Sequence, residues 1–373
     1  MSRYFDNSAT TPVCEQAAQA AQQAITVMYG NPSSLHGMGL EASQAIELAR
    51  SRVAALLGCE ANRLYFAPSG TAANNTAVFG VCERLRREGD TIITTAAEHP
   101  SVSQPIKKLE ASGMHVIRIA PEKDGNINED ELLSAVTKNT VLVSVMAVNN
   151  ETGAVFPVSR LSAALKRAGA PGLVHCDCVQ ALGKLKLSPR SLNADLITVS
   201  AHKIHGMKGA GALYAAAKNM VKPQLLGGGQ EDGMFSGTQA VPALVAFGAA
   251  AQQADIERGY EHAAQLKRVL LGELEGANVT VISAQDALPH IVSLSLTGVM
   301  AQPAVTALYE KGFCVSAGSA CKRGGRSETL AAMGIDARVA DSAVRISFSR
   351  YNTVQDTLDL AQAIKEVIKE RSK

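Results

Sequence analysis

Ser200, His202 and Lys203 stand within four residues of one another, just ahead of the run Ile204-His205-Gly206-Met207-Lys208-Gly209. A hydroxyl, an imidazole and a primary amine are set side by side. A lysine amine taken out of water loses basicity and becomes a nucleophile able to form a Schiff base with a carbonyl compound. The preceding Asp195-Leu196-Ile197-Thr198-Val199 is apolar and β-prone and reads as a buried strand. The trio thus falls at a strand's carboxyl end, where open α/β sheets take their ligands. A lone lysine in a basic turn is usually solvated, so a chemical role depends on its company.

That company sits at other strand ends. Ser69-Gly70-Thr71 lies between a strand and a helix, where N–H groups and the positive dipole end suit an anion such as phosphate. Glu98-His99-Pro100-Ser101 closes a second strand with an imidazole able to stack on a flat ring or move protons. Asn149, in Val148-Asn149-Asn150-Glu151-Thr152-Gly153, ends a third with an amide donor. His175-Cys176-Asp177-Cys178-Val179-Gln180 ends a fourth with a buried aspartate that needs a partner, and a protonated pyridine nitrogen would be one. Gln180 lies in reach of a ring hydroxyl. Each motif alone also has a structural reading as a cap or polar turn. Together they supply a phosphate cradle, a stacking imidazole, a ring-nitrogen carboxylate and a Schiff-base lysine, which is a site for pyridoxal phosphate.

The elements that must position these groups follow from the pattern. Apolar runs at 64–67, 91–95, 114–119, 141–148, 173–177, 195–199 and 211–215 predict seven strands, with helices over 15–28, 41–57, 72–87 and 100–111. Such alternation predicts a mostly parallel sheet covered on both faces. Glycines, Gly30 and Gly58, mark the expected ends of the first two helices. A helical stretch over 240–275 leads to strands at 278–283, 290–296, 313–316 and 343–348, helices at 303–311 and 327–333, and a last helix capped by Thr353. The expected division is a large α/β domain over 15–255 and a smaller α+β domain made of 1–14 and 256–373.

Composition narrows the function classes. In 373 residues, 46% hydrophobic and 19% charged, the balance is globular, and a net charge of +2 gives no nucleic-acid footprint. No apolar run approaches the roughly 18 residues of a membrane span, and Met1-Ser2-Arg3-Tyr4-Phe5-Asp6-Asn7 lacks a signal-peptide core. The cytoplasm is the expected location. Seven scattered cysteines make no disulfide framework, and Cys176 with Cys178 lacks the further ligands of a zinc site, so no metal is expected.

In this order, the motifs resemble those of the class V aminotransferase-fold enzymes, and more narrowly the cysteine desulfurases of the NifS/IscS type. The resemblance runs from Asp6-Asn7-Ser8-Ala9-Thr10-Thr11 to Arg345-Ile346-Ser347-Phe348. It implies the fold-type-I architecture of pyridoxal-phosphate-dependent transferases and a homodimer. The implied activity converts L-cysteine to L-alanine and leaves sulfur as an enzyme persulfide for an acceptor protein, either a scaffold for iron–sulfur clusters or a tRNA-thiolation protein. By the same resemblance Lys203 matches the Schiff-base lysine, Asp177 the ring-nitrogen partner, and Gln180 and Asn149 the contacts near the ring hydroxyl. Asn149 also falls near the substrate. His99 matches the stacking histidine, and Gly70, Thr71, Ser200 and His202 match phosphate contacts. Thr238 matches a threonine reaching the other subunit's phosphate, Arg345 the arginine for the substrate carboxylate, and Cys321 the persulfide-forming nucleophile.

Cys321 also stands on its own residues. Lys322, Arg323 and Arg326 favour a thiolate, and Gly318, Gly324 and Gly325 favour mobility, whereas Cys82 and Cys314 read as inert core thiols. The chain departs from the family pattern at Asp232 and Phe235, where arginines are usual, at Ala72, where glutamate is common, and in the basic run after Cys321. The rival readings are a selenocysteine lyase or another class V lyase or aminotransferase, and a non-catalytic scaffold of a sulfur relay. A scaffold has no chemical need for Lys203, Asp177 and Cys321 together.

Overall fold

A computed structural model describes residues 3–318 and 327–371. Its main sheet has seven strands in the spatial order Leu64–Ala67, Gly211–Ala215, Leu196–Ser200, Leu173–Asp177, Thr140–Met146, Thr91–Thr95 and His115–Ile119. The last five pair in parallel, and Gly211–Ala215 runs antiparallel to both its neighbours. Thr91–Thr95, Thr140–Met146 and Leu196–Ser200 are buried along their whole length. Helices on both faces account for that, and for apolar runs that do not alternate.

One face is covered by Glu15–Thr26, Gly37–Leu57 and Val241–Gln252, whose Ala17, Ala21, Ala24, Ala49 and Val53 share a core with Phe66, Ile93 and Val143. The other face carries Gly70–Leu85 and Pro100–Ala111, with Ala77, Val81, Val102 and Ile106 against Ile92 and Leu142. Gly58 ends the second helix as expected, in the left-handed conformation with its N–H bonded back to Ala54 and Ala55. The first helix stops at Thr26, capped by Val27, short of Gly30.

A second core gathers Leu266, Leu294, Ile346, Leu360 and Ile364, and Phe5 of the N-terminal arm lies within it. Its antiparallel sheet has the order Ser316–Ala317, Ala343–Ser347, Ile291–Leu296, Val279–Val281. The run 313–316, read from sequence as one strand, is two. Phe313–Cys314 pairs in parallel with Arg3–Tyr4 of the arm, and Ser316–Ala317 joins the larger sheet, so the chain changes sheets at Val315. The last helix, Val354–Arg371, opens on a reciprocal cap in which Asp356 N–H donates to Thr353 Oγ1 and Thr353 N–H to Asp356 Oδ2. No helix among the described residues is long and apolar enough to cross a membrane.

Candidate active site

A cavity of about 470 Å³ opens at the carboxyl ends of the parallel strands. Its walls bring together Gly70, Thr71, His99, Asp177, Gln180, Ser200, His202, Lys203 and Arg345 of the residues expected from sequence. All but Arg345 reach it because a strand of the main sheet ends nearby and the chain turns, whereas Arg345 projects from the middle of Ala343–Ser347 in the small sheet.

Strand Leu196–Ser200 passes into a single 3-10 turn, Ala201–Lys203. Lys203 Nζ donates to the carbonyls of Ser8 (2.5 Å) and Ala9 (2.8 Å), both in the N-terminal arm. His202 Nδ1 meets Thr10 Oγ1 at 3.1 Å, and its imidazole is pushed down to about 4 by burial and then by the Lys203 amine. Asp177 ends its strand with Oδ2 accepting from Asn74 Nδ2 at 2.7 Å and Oδ1 from Val179 N–H at 2.9 Å. At the head of helix Gly70–Leu85, Ser69 Oγ accepts from Ala72 N–H at 3.1 Å. A Cβ on Gly70 would press on Val179 Cγ2 at 3.1 Å, and one on Gly211 would lie 2.6 Å from the Ser69 carbonyl carbon. Glycine at both positions lets the turn at Ser69–Thr71 settle against the neighbouring strands.

Arg345 is buried, with Nη2 on Asp6 Oδ1 and Nη1 on Asn150 O, both at 2.8 Å, while Nε has no hydrogen-bond partner among the described residues. Gln180 spans two neighbours, donating to Ser8 O at 2.9 Å and accepting from Lys184 Nζ at 3.1 Å. Burial, followed by the Lys203 and Arg345 charges, pushes the Lys184 amine down to about 7.

Asn149 lies elsewhere, and Thr238, expected to serve the other subunit, does not line this cavity. Asn149 is buried and turned away from the cavity, donating to Ala97 O and accepting from the N–H groups of Glu151 and Thr152. Its side chain shapes the turn that carries Asn150 and Glu151 into the cavity wall. Thr238 is exposed and outside the cavity of its own chain. Cys321 lies outside the described residues. Cys314 is only half-buried rather than core, and burial, then Asp6, raises its thiol above the usual range. Of the two departures from the arginine pattern, Asp232 pairs with Lys218 at 3.2 Å and Phe235 is core.

Sequence reasoning gave no role to two buried acids in the cavity wall. Glu98 Oε1 accepts from Met146 N–H (3.0 Å) and Thr95 Oγ1 (2.8 Å), and burial pushes its carboxyl up to about 8. Glu151 accepts from Ser327 Oγ at 2.5 Å and Thr329 Oγ1 at 3.2 Å, and burial raises it too. The only signal was adjacency, since each stands beside a motif residue that was singled out.

The model of the family described as Aminotransferase class-V matches residues 3–360. A "NifS/IcsS protein homolog" of Lactobacillus delbrueckii subsp. bulgaricus is 37% identical over 99% of this chain and 98% of its own. A "Cysteine desulfurase" of Nostoc sp. is 35% identical over 98% and 92%. A solved structure titled "NIFS-LIKE PROTEIN" superposes with a TM-score of 0.93 at 34% identity, covering 99% of this chain and all of that one. On these matches, and on a cavity assembled from the same motifs, the chain belongs to the class V aminotransferase family.

Proposed function

We propose that the protein is a pyridoxal-phosphate-dependent cysteine desulfurase that passes sulfur from L-cysteine through Cys321 to an acceptor protein. One observation carries the reading: Lys203, Asp177, His99 and Arg345 line a single cavity although 246 positions separate His99 from Arg345 in the chain. The cavity suits the cofactor's parts. A helix N-terminus with Gly70 and Thr71 beside Ser200 and His202 fits a phosphate, and the carboxylate of Asp177 fits a protonated ring nitrogen. Lys203 would hold the aldehyde carbon. Pyridoxal phosphate, when bound, supplies the electron sink for chemistry at the amino acid's α and β carbons.

The chain's own residues do the rest. Asp177, gripped by Asn74 and the Val179 N–H, keeps its charge aimed at one place. Arg345 brings a buried guanidinium, its Nε unpaired among the described residues, to the substrate carboxylate. Lys203 is the amine placed to move a proton at the substrate's α carbon. The overall change balances as L-cysteine plus an enzyme thiol giving L-alanine plus an enzyme persulfide. The C–S bond breaks, an S–S and a C–H bond form, and no outside oxidant is needed.

We further read the active unit as a homodimer with Thr238 serving the partner's phosphate. Ile25, Val27, Tyr29, Leu35 and Leu40 support this, because five large apolar side chains stand exposed within sixteen residues of the chain. Residues 15–255 would carry the cofactor, and residues 1–14 with 256–373 the sulfur-accepting segment. A reducing cytoplasm suits a chain whose six described cysteines are all free thiols. The test is a single turnover with L-cysteine, measuring alanine and reading by mass spectrometry which peptide gains one sulfur. Sulfur on the Cys321 peptide is expected. A persulfide on Cys176 or Cys178, with Cys321→Ser still forming alanine, overturns the mechanism.

A further inference from the structure

His99 is the N-cap of helix Pro100–Ala111, and its imidazole is part of a four-residue chain. Asp177 Oδ2 accepts from Asn74 Nδ2 at 2.7 Å, and Asn74 Nδ2 also reaches Ser101 Oγ at 2.9 Å. Ser101 Oγ lies 2.7 Å from His99 Nδ1, and the Ser101 backbone N–H donates to that same Nδ1 at 3.1 Å. The direction of every bond can be read from chemistry. A carboxylate only accepts, which fixes the Asn74 amide with its NH₂ toward Asp177 and Ser101. Ser101 Oγ therefore accepts from Asn74 and keeps its own proton for His99. A backbone N–H only donates, so Nδ1 must accept.

We infer that Asn74 and Ser101 are positioning residues that hold His99 as the neutral tautomer with its proton on Nε2. His99 then meets a bound ring or substrate as a hydrogen-bond donor, and proton abstraction falls to Lys203. Protonating Nδ1 would set an N–H against the N–H that caps the helix, and would put a cation at a helix N-terminus, where the dipole opposes it. Among the described residues, titratable groups around the imidazole include Glu98 beside it in sequence, Asp177 at the end of Leu173–Asp177, and His202 and Lys203 after Leu196–Ser200. Burial draws the imidazole below its usual range, with Asp177 opposing that and Lys203 adding to it. The inference deepens the proposed function and rests on it for its meaning in catalysis, but the tautomer can be measured whether or not alanine forms.

The test is nitrogen-15 NMR of the cofactor-loaded protein labelled at histidine, with the His99 signals identified by their loss in His99→Gln. The expected wild-type spectrum shows a proton-bearing Nε2 and an acceptor-type Nδ1 from pH 6 to 8. Ser101→Ala removes the hydroxyl donor and leaves the backbone N–H. It should lower the Nε2–H to Nδ1–H ratio by roughly three- to tenfold, or raise the imidazole's titration midpoint by roughly half to one unit, as the loss of one hydrogen bond implies. Ser101→Thr should restore the wild-type spectrum. A wild-type proton on Nδ1 overturns the inference without any variant having to fold. So does a Ser101→Ala spectrum and midpoint identical to wild type. Failure of the desulfurase reading would instead appear as absent alanine with the His99 spectrum unchanged.

Discussion

Lys184 offers a quantitative test of the interior behind the cavity. Its amine is buried, its one hydrogen-bond acceptor among the described residues is the Gln180 amide, and the charges that bear on it, Lys203 and Arg345, repel. His205 and His290 line the same small space and are neutral there, pushed down to about 4 and about 3 mainly by burial. With the amine at about 7 when folded and 10.5 when free, the unfolded chain binds more protons throughout that window, so stability rises with pH across it. The folded state forgoes roughly 4 kcal/mol at pH 7 and roughly 2 kcal/mol at pH 9. Lys184→Met keeps the volume and removes the titration. Its stability advantage over wild type should therefore shrink by about 2 kcal/mol per chain between pH 7 and pH 9. Urea unfolding at fixed protein concentration reads this as a pH-dependent gap between the two midpoints. Constant contributions, such as the lost bond to Gln180, cancel in that comparison. A gap unchanged across the two pH values would mean the amine titrates as if exposed, and the reasoning would be wrong.

Two further outcomes follow from buried charges. Glu98 carries the opposite sign: its folded carboxyl sits at about 8 against 4.5 when free, so the stability it confers is complete below 4.5 and lost as pH rises through 8. Glu98→Gln should flatten that decline, and wild type should lose roughly 4 kcal/mol relative to the variant by pH 8 in the same urea series; parallel curves would refute it. Glu231 accepts from both Arg50 terminal nitrogens at 2.6 and 3.0 Å, from Phe66 N–H at 2.7 Å and from Gln239, tying the segment before Thr238 to the sheet. Glu231→Gln leaves the Arg50 charge without a counter-charge at that end, and should cost about 3 kcal/mol or more in thermal or urea unfolding; a loss below roughly 1 kcal/mol would mean that Glu47 alone satisfies Arg50.

The seven main strands and the two-faced covering were legible because apolar runs of strand length, punctuated by glycine and polar turns, have few other solutions in a chain of this size. The reversed direction of Gly211–Ala215 was not, since strand pattern carries no sign of parallel or antiparallel pairing. Lys203, Asp177 and His99 were legible because each ends a strand, and strand ends share an edge. Asn149 ends a strand as well, yet its side chain turns back to bond Ala97 and the Glu151 and Thr152 N–H groups. At a turn, a short amide satisfies the local backbone as readily as a ligand, and sequence cannot separate the two. Glu98, Glu151 and Lys184 were opaque for a related reason. A charged residue in a sequence reads as surface until the fold shows it enclosed.

The N-terminal arm, where the family resemblance begins, shows how much of a site can rest on contacts that residue type alone does not announce. Ser8 and Ala9 hold the Lys203 amine through carbonyl oxygens that every residue type possesses. Ser8 O also receives Gln180, Thr10 meets His202, and Thr11 N–H and Oγ1 both donate to His202 O. Asp6 holds Arg345, and the same stretch is anchored by Phe5 in the second core and by the pairing of Arg3–Tyr4 with Phe313–Cys314. The lysine and the arginine of the cavity, which approach it from the large sheet and the small one, are thus oriented by a single strap of six residues, Asp6 to Thr11. Any shift of the small sheet that carries Arg345 must move this strap, and with it the acceptors of the Lys203 amine. The geometry of the Arg345 guanidinium and that of the Lys203 amine are therefore set together, by the carbonyls of Ser8 and Ala9 and the side chain of Asp6 in one short segment.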